Sequence, residues 1–233
     1  MKPSTLFIKG IKDGIPIGLG YLSVAIGVGI TAASGGLTAL TAILMSMTNL
    51  TSAGEAAGIA VIAAGGTLLE MALVQLVINL RYSLMAISLS QKLDRSFTTS
   101  RRLFLGGFIT DEIYAMAVNQ DKVTTRYMYG LILVPYIGWA VGTAIGASAG
   151  TMLPADVTAA LGMAIYGMFI AVFVPIMKKS SIATLAIVLA AVISTILRVV
   201  PVFSFISYGF SVILSSVSAA TVAAWVAWRK RSA

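Results

Sequence analysis

Long apolar stretches separated by short polar connections fill almost the whole of this chain. They cover residues 14–33, 37–65, 66–91, 103–120, 128–150, 157–177, 182–199 and 202–228. About 20 apolar residues in a helix cross the hydrocarbon core of a bilayer. The sequence lacks the segments of about ten residues with alternating polarity that are typical of membrane β-barrels, so the backbone polar groups must be paired within helices. The pattern predicts an all-α integral membrane protein with a single transmembrane domain over residues 1–233.

Composition agrees with this class and removes several kinds of chemistry. Hydrophobic residues make up 58% of the chain and charged residues 10%, against roughly 45–50% and 25% in soluble domains. The sequence contains no Cys and no His, which removes disulfides, thiol nucleophiles and imidazole bases or ligands. No nucleotide-binding loop is present either. We therefore expect no enzyme activity, no metal site and no cofactor.

Basic residues outnumber acidic ones by 16 to 8, and they cluster at helix ends. We assign them to membrane topology and to contacts with anionic lipids of the bilayer, and expect no nucleic acid partner. The clusters lie before residue 13, between 92 and 102, at 122 and 126, at 178 and 179, and at 229–231. Cytoplasmic loops are enriched in such residues. The sequence therefore predicts a multi-pass plasma-membrane protein with cytoplasmic N- and C-termini.

Eight full spans cannot place every basic cluster on one side, because Lys178 and Lys179 would then lie outside. Two segments, 37–65 and 103–120, carry polar or glycine-containing breaks. If both segments return to the side from which they enter, all the clusters become cytoplasmic. The prediction is a bundle of about six full transmembrane helices plus two broken or re-entrant segments. The alternative is one loosely packed ordinary span and a single exception to the charge rule.

Four glycines recur at strict four-residue spacing in the segment 128–150. They are Gly138, Gly142, Gly146 and Gly150. Glycines at this spacing form a helix face on which another backbone can approach closely. We expect this face to be a helix-packing interface, either within the chain, which is favoured, or against a partner.

The break inside 37–65 contains Asn49, Thr51 and Ser52, followed by Gly54 and Glu55. Ser52 and Glu55 have the spacing of a helix capping box, so a helix is predicted to begin inside the membrane. The free N–H groups and positive dipole end of such a helix suit a carboxylate ligand. We take these five residues as candidate substrate-binding residues for an amino-acid-like ligand. The alternative is that Glu55 only caps the helix.

Polar and ionisable residues in other apolar segments provide further candidates. Asn79 and Arg81 are candidate substrate-binding residues, because an ionisable side chain deep in a span is costly and faces a partner or water. Glu70 lies about 16 Å from Arg81 along the same helix, so Asp111 or Glu112 is the expected counter-charge. We take Glu70, Asp111 and Glu112 as candidate coupling or ion-pair residues, with a purely structural salt bridge as the alternative.

Together these motifs resemble the AzlC family, the large subunits of branched-chain amino acid exporters. The resemblance rests on IPIGLGY at 15–21, AGEAA at 53–57, NLRY at 79–82 and TDEIYA at 110–115, in the family's order. It implies a permease subunit that exports amino acids, with a branched-chain substrate and proton coupling expected, and that works with a small AzlD-like membrane protein. The family usually has Gln at the position of Glu55 and often His at that of Tyr82.

Two other interpretations of the function stay open at this point. The first is an ion-conducting, channel-like protein, for which a ring of identical subunits would be needed to repeat one acidic residue around a pore. The second is a membrane scaffold subunit that does not transport and whose glycine face only stabilises a partner.

Overall fold

The computed structural model describes residues 3–149, 154, 156 and 163–232, and the regular elements in these ranges are helices. In chain order they are α1 (Pro3–Ser34), α2 (Ala39–Thr48), α3 (Ser52–Ala63), α4 (Leu68–Ser90), α5 (Thr99–Gly106), α6 (Asp111–Val118), α7 (Thr125–Ala149), α8 (Ala164–Lys179), α9 (Ser181–Val199) and α10 (Tyr208–Ser232), with a short 3₁₀ turn at Pro201–Phe203. The predicted all-α class is confirmed.

Among the described residues, five helices are long and apolar enough to cross a membrane, namely α1, α4, α7, α9 and α10. The predicted span 157–177 overlaps residues outside the described ranges, and its described part forms α8. Both segments predicted to be broken are indeed interrupted: α2 ends at Thr48 before α3 begins, and α5 ends at Gly106 before α6 begins.

The chain divides into two compact units, which we describe separately. The first unit is built from Met1–Ala56 and Asn79–Gly162, and the second from Ala57–Ile78 and Met163–Ala233. The sequence-based prediction of one permease domain stays a prediction.

The first unit is organised around α1 and α7, which pack against each other in parallel. A side chain at Gly10 would meet the backbone at Tyr127 and Leu131, whereas a side chain at Gly146 would meet the backbone of Ile26. Residue numbers therefore increase in the same direction along both helices. Glycines line this contact on each side: Gly14, Gly18 and Gly29 on α1, and Gly130, Gly138 and Gly142 on α7. Because neither helix has side chains at these positions, the two backbones lie in direct contact over most of their length.

The predicted glycine face thus packs against a helix of the same unit through Gly138, Gly142 and Gly146. The fourth member of the predicted face, Gly150, lies outside the described residues. Sequence inspection missed Gly10, Gly14, Gly18 and Gly29 as a complementary face, although the first three repeat the four-residue spacing within α1. Pro135 lies inside α7 and contributes its ring to the contact with Gly14.

The second broken segment enters and leaves the first unit at the same end. At its entry, the amide of Asp94 donates to the carbonyl of Val123, and the amide of Val123 donates to the carbonyl of Lys92, at 2.9 Å each. At its exit, the Lys9 ammonium donates to Gln120 at 2.5 Å. Residues before α5 and after α6 therefore lie together beside the start of α1, as expected for a re-entrant segment.

The tip of this segment reaches far along α1. The hydroxyl oxygens of Tyr21 and Thr110 lie 2.6 Å apart in a hydrogen bond, and Thr110 accepts from the Ile113 amide as the N-cap of α6. Tyr21 is twelve residues beyond Lys9, which corresponds to about 18 Å along a helix. Since a hydrocarbon core is about 30 Å thick, the break between α5 and α6 lies near the middle of the membrane if Lys9 marks its edge.

The first broken segment enters the first unit from the opposite end, directly after α1. Helix α2 follows α1 through a turn in which Gly36 has a φ of +84°, a conformation that glycine adopts without strain. Helix α2 then packs on α7, and the chain breaks at residues 49–51. One detail of the prediction is wrong: Ser52 is the first residue of α3 rather than its N-cap, because the Glu55 amide donates to the carbonyl of Thr51.

The second unit contains the other end of α3, the start of α4, and α8 to α10. Val61 and Val74 form a small core there, against which Tyr208 and Ile213 pack. Helices α9 and α10 contact each other, and Arg198 lies over the ring of Tyr208 with its guanidinium carbon 4.9 Å from the ring centroid. None of the residues of α9 is buried, as expected for a helix that faces lipid or another chain.

Candidate functional site

A buried carboxyl group lies beside the first break, in the first unit. The side chain of Glu55 is 1% exposed. One of its oxygens accepts from the hydroxyl of Ser46 on α2, and the other accepts from the indole N–H of Trp139 on α7 at 2.7 Å. The hydroxyl of Ser46 also lies 2.7 Å from that of Thr143. We call Ser46, Glu55, Trp139 and Thr143 the Glu55 site.

The Glu55 site joins the two helices of the first break to α7. Both carboxyl oxygens have a donor, which is what a buried acid requires. Glu55 therefore binds α2 and α7 in addition to belonging to the first turn of α3. Sequence reasoning treated it as a capping residue or a substrate ligand. It missed Ser46, nine residues away on another helix, and also Trp139 and Thr143, because nothing in the sequence links these positions to Glu55.

A second polar group lies at the tip of the re-entrant segment. Arg81 of α4 forms a salt bridge with Asp111 at 2.8 Å, so the structure selects Asp111 from the two predicted counter-charges. Arg81 also donates to the hydroxyl of Tyr82 at 2.9 Å and lies 4.8 Å from the centroid of its ring. We call Arg81, Tyr82 and Asp111 the Arg81 site.

Glu112, the other predicted counter-charge, has a different partner. It accepts from the hydroxyl of Tyr21 at 2.5 Å, the same hydroxyl that contacts Thr110. Tyr21 in turn packs edge-on against Trp139, with ring centroids 5.3 Å apart and an interplanar angle of 71°. Tyr21 and Trp139 therefore connect the Arg81 site to the Glu55 site. Tyr21 is part of the IPIGLGY motif, but its role could not be read from that motif.

The two sites thus lie where two broken segments, entering from opposite ends of the unit, approach each other. Five helices supply their residues: α2 through Ser46, α3 through Glu55, α4 through Arg81 and Tyr82, α6 through Asp111, and α7 through Trp139 and Thr143. Tyr21 of α1 connects the two sites. Polar side chains, two acids and an arginine at this depth are costly in lipid and typical of transport pathways.

Several predicted substrate-binding residues occupy the first break itself. Asn49 ends α2, and its side-chain oxygen accepts from the hydroxyl of Thr51 at 3.1 Å. Ser52 and Gly54 lie in the first turn of α3, next to Glu55 in the chain. Asn79 lies on α4, two residues before Arg81.

Glu70 belongs to the second unit and has a different environment. It is 3% exposed, and it accepts from the hydroxyl of Ser207 at 2.6 Å and from the amide of Gly209 at 2.5 Å. These groups surround the start of α10, where the helix dipole favours an anion. In the structure, Glu70 therefore accepts from neutral donors at the start of α10.

The fold and these sites define a helical integral membrane protein with interrupted helices and buried ionisable residues. The family model for the AzlC protein matches residues 16–153, which run from within α1 past the end of α7 and include both sites. The chain belongs to the AzlC family, and the resemblance seen in the sequence is confirmed.

Relatives of the chain are membrane proteins. It is 28% identical over 209 residues to the inner membrane protein YgaZ of Escherichia coli, covering 85% of each chain. It is 30% identical over 181 residues to an uncharacterized membrane protein of Archaeoglobus fulgidus, covering 76% of this chain and 79% of that one. A Helicobacter pylori membrane protein is 28% identical over 184 residues, covering 75% of this chain and 79% of the relative. No solved structure gives a significant match.

Proposed function

We propose that this protein is a plasma-membrane permease subunit that exports amino acids, with branched-chain amino acids as the preferred substrates. The observation that carries the proposal is the meeting of two interrupted segments at two connected polar sites inside the first unit. Interrupted helices expose backbone and polar groups at membrane depth, where a substrate can replace its hydration with protein contacts. Family membership and resemblance to branched-chain exporters support the choice of substrate.

In this mechanism the two sites have different tasks. The Arg81 site carries half-exposed charges that a substrate can contact, whereas the Glu55 site is closed and fully paired. A carboxyl group with two neutral donors can hold or release a proton without a cationic partner, so we assign proton coupling of export to Glu55. No chemical conversion of the substrate is proposed.

We further propose that a small AzlD-like membrane protein completes the transporter. The exposed apolar surface of α9 is compatible with such a partner, and the family resemblance supports its identity.

Counterflow of radiolabelled leucine into proteoliposomes tests the proposed function. Purified protein is reconstituted alone and with its AzlD-like partner, and vesicles preloaded with unlabelled leucine are diluted into labelled leucine. We expect label to accumulate transiently with both subunits present, and an imposed pH gradient to drive net leucine movement. A correctly folded complex that shows no counterflow of any branched-chain amino acid would refute the proposal.

A further inference from the structure

The Arg81 site combines two opposite charges that are neither buried nor at a membrane edge. The side chains of Arg81 and Asp111 are 40% and 41% exposed. Arg81 lies nine residues before the end of α4 at Ser90, or about 14 Å along the helix, and a hydrocarbon core is about 30 Å thick. A charged pair at that depth cannot face lipid without a large cost. With Ser90 taken as the membrane edge, the exposed side of the pair therefore faces water or a polar ligand rather than lipid.

The geometry holds the two charges at a fixed separation. Tyr82 contacts Arg81 through both its hydroxyl and its ring. Asp111 is the first residue of α6, directly between Thr110 and Glu112, which are both held by the hydroxyl of Tyr21. An arginine and a carboxylate 2.8 Å apart thus stand on two separately supported elements. The salt bridge can therefore separate while the other contacts that hold each of the two side chains or its helix remain in place.

From this arrangement we propose that Arg81 and Asp111 recognise both charges of a zwitterionic substrate by exchanging partners with it. The inference rests on the proposed function and assigns a recognition role to this pair. The guanidinium of Arg81 binds the carboxylate of the amino acid, and the carboxylate of Asp111 binds its ammonium group.

Charge balance explains why an amino acid fits this pair. An α-amino acid carries its carboxylate and ammonium on one carbon, so it can contact both protein charges together. One ion pair then becomes two, and the total charge of the site stays zero. A molecule with only one of the two charges leaves Arg81 or Asp111 without its charged partner, and a charged group that loses its hydrogen-bond partner costs more free energy than a neutral group does. The pair therefore selects zwitterions over simple acids and amines.

Binding measurements with three ligands of the same carbon skeleton test the proposal. The ligands are leucine, 3-methylbutylamine, which lacks the carboxylate, and 4-methyl-2-oxopentanoate, which lacks the amino group. They compete with labelled leucine for the purified complex of the chain with its AzlD-like partner. We expect both analogues to bind at least about tenfold more weakly than leucine, because each leaves one charge unpaired.

Two single variants then locate each contact. In Arg81→Gln, leucine should lose its advantage over the amine while keeping an advantage over the oxo acid. In Asp111→Asn, leucine should lose its advantage over the oxo acid while keeping an advantage over the amine. A purely structural salt bridge predicts instead that each variant weakens all three ligands by the same factor, and that result would overturn the proposal.

A double variant covers the case in which a single unpaired charge prevents folding. Replacing both members of the pair leaves neither charge without its partner, so Arg81→Met combined with Asp111→Leu should fold. We expect it to have lost leucine binding by at least about tenfold relative to the unmodified protein. If this variant still binds leucine, the recognition role of Arg81 and Asp111 is refuted, while the proposed function is not. An unmodified complex that binds no leucine would instead refute the proposed function together with this inference.

Discussion

The direct backbone contact between α1 and α7 predicts that adding one methyl group to a glycine of this contact destabilises the protein. In Gly146→Ala, the new Cβ would lie 2.8 Å from the carbonyl carbon of Ile26 and 3.0 Å from its Cα, whereas ordinary contacts begin at 3.4 Å. Both atoms belong to the backbone, so the two helices must move apart. Overpacking of this kind costs about 1–3 kcal/mol.

The same substitution has a matched control on α1. A Cβ at Gly20 would meet no atom within 4 Å, so Gly20→Ala adds a methyl group without a clash. Alanine favours a helix over glycine by up to about 1 kcal/mol. We therefore expect Gly20→Ala to leave stability unchanged or raise it slightly, so that the two variants differ by about 1–4 kcal/mol.

Thermal unfolding of the purified variants in one detergent measures this difference. A change of 1 kcal/mol shifts the midpoint by about 2–4 °C in a chain of 150–250 residues, so Gly146→Ala should unfold several degrees below Gly20→Ala. Equal midpoints for the two variants would show that the contact between α1 and α7 accommodates a methyl group at Gly146 without loss of stability.

Three further predictions concern other parts of the chain. Glu55→Gln should fold normally because an amide can accept from Trp139 and donate to the Ser46 hydroxyl. Trp139→Phe should lower the free energy of unfolding by about 1.5–3 kcal/mol, because Glu55 loses a donor. Urea titration measures the free energy of unfolding of both variants. Single cysteines at positions 92 and 178 should react with an impermeant thiol reagent only from the cytoplasm. Glu70→Gln should cost about 0.3–1 kcal/mol by removing an anion from a helix start, measured by thermal unfolding.

The sequence was sufficient to predict the membrane class and the interruptions. Apolar length and the scarcity of charge dictate helices in lipid, because no other partner for the backbone is available there. Polar and glycine residues within 37–65 and 103–120 predicted breaks, and the structure has a break in each. The four-residue glycine repeat predicted a face for close packing, since spacing alone determines which residues share a helix face.

The partners of the polar residues were decided only by the tertiary structure. Arg81 could pair with either of two neighbouring acids by sequence, and the orientation of α6 selects Asp111 while directing Glu112 to Tyr21. Ser46, Trp139 and Thr143 carry no sequence signal of a site, because serine, tryptophan and threonine occur throughout apolar helices.

The position of Glu55 shows the physical reason most clearly. Its spacing from Ser52 predicted a local capping contact, yet its carboxyl group binds side chains of α2 and α7. A local motif predicts only the contacts that a side chain can make within one turn of its own helix. A buried acid is stabilised by the hydrogen-bond donors that the other packed helices place beside it. The order of apolar and polar residues in the sequence determines the helices and their breaks. Which charges meet is determined by tertiary packing, in which α1 and α7 lie parallel and both broken segments pack against them.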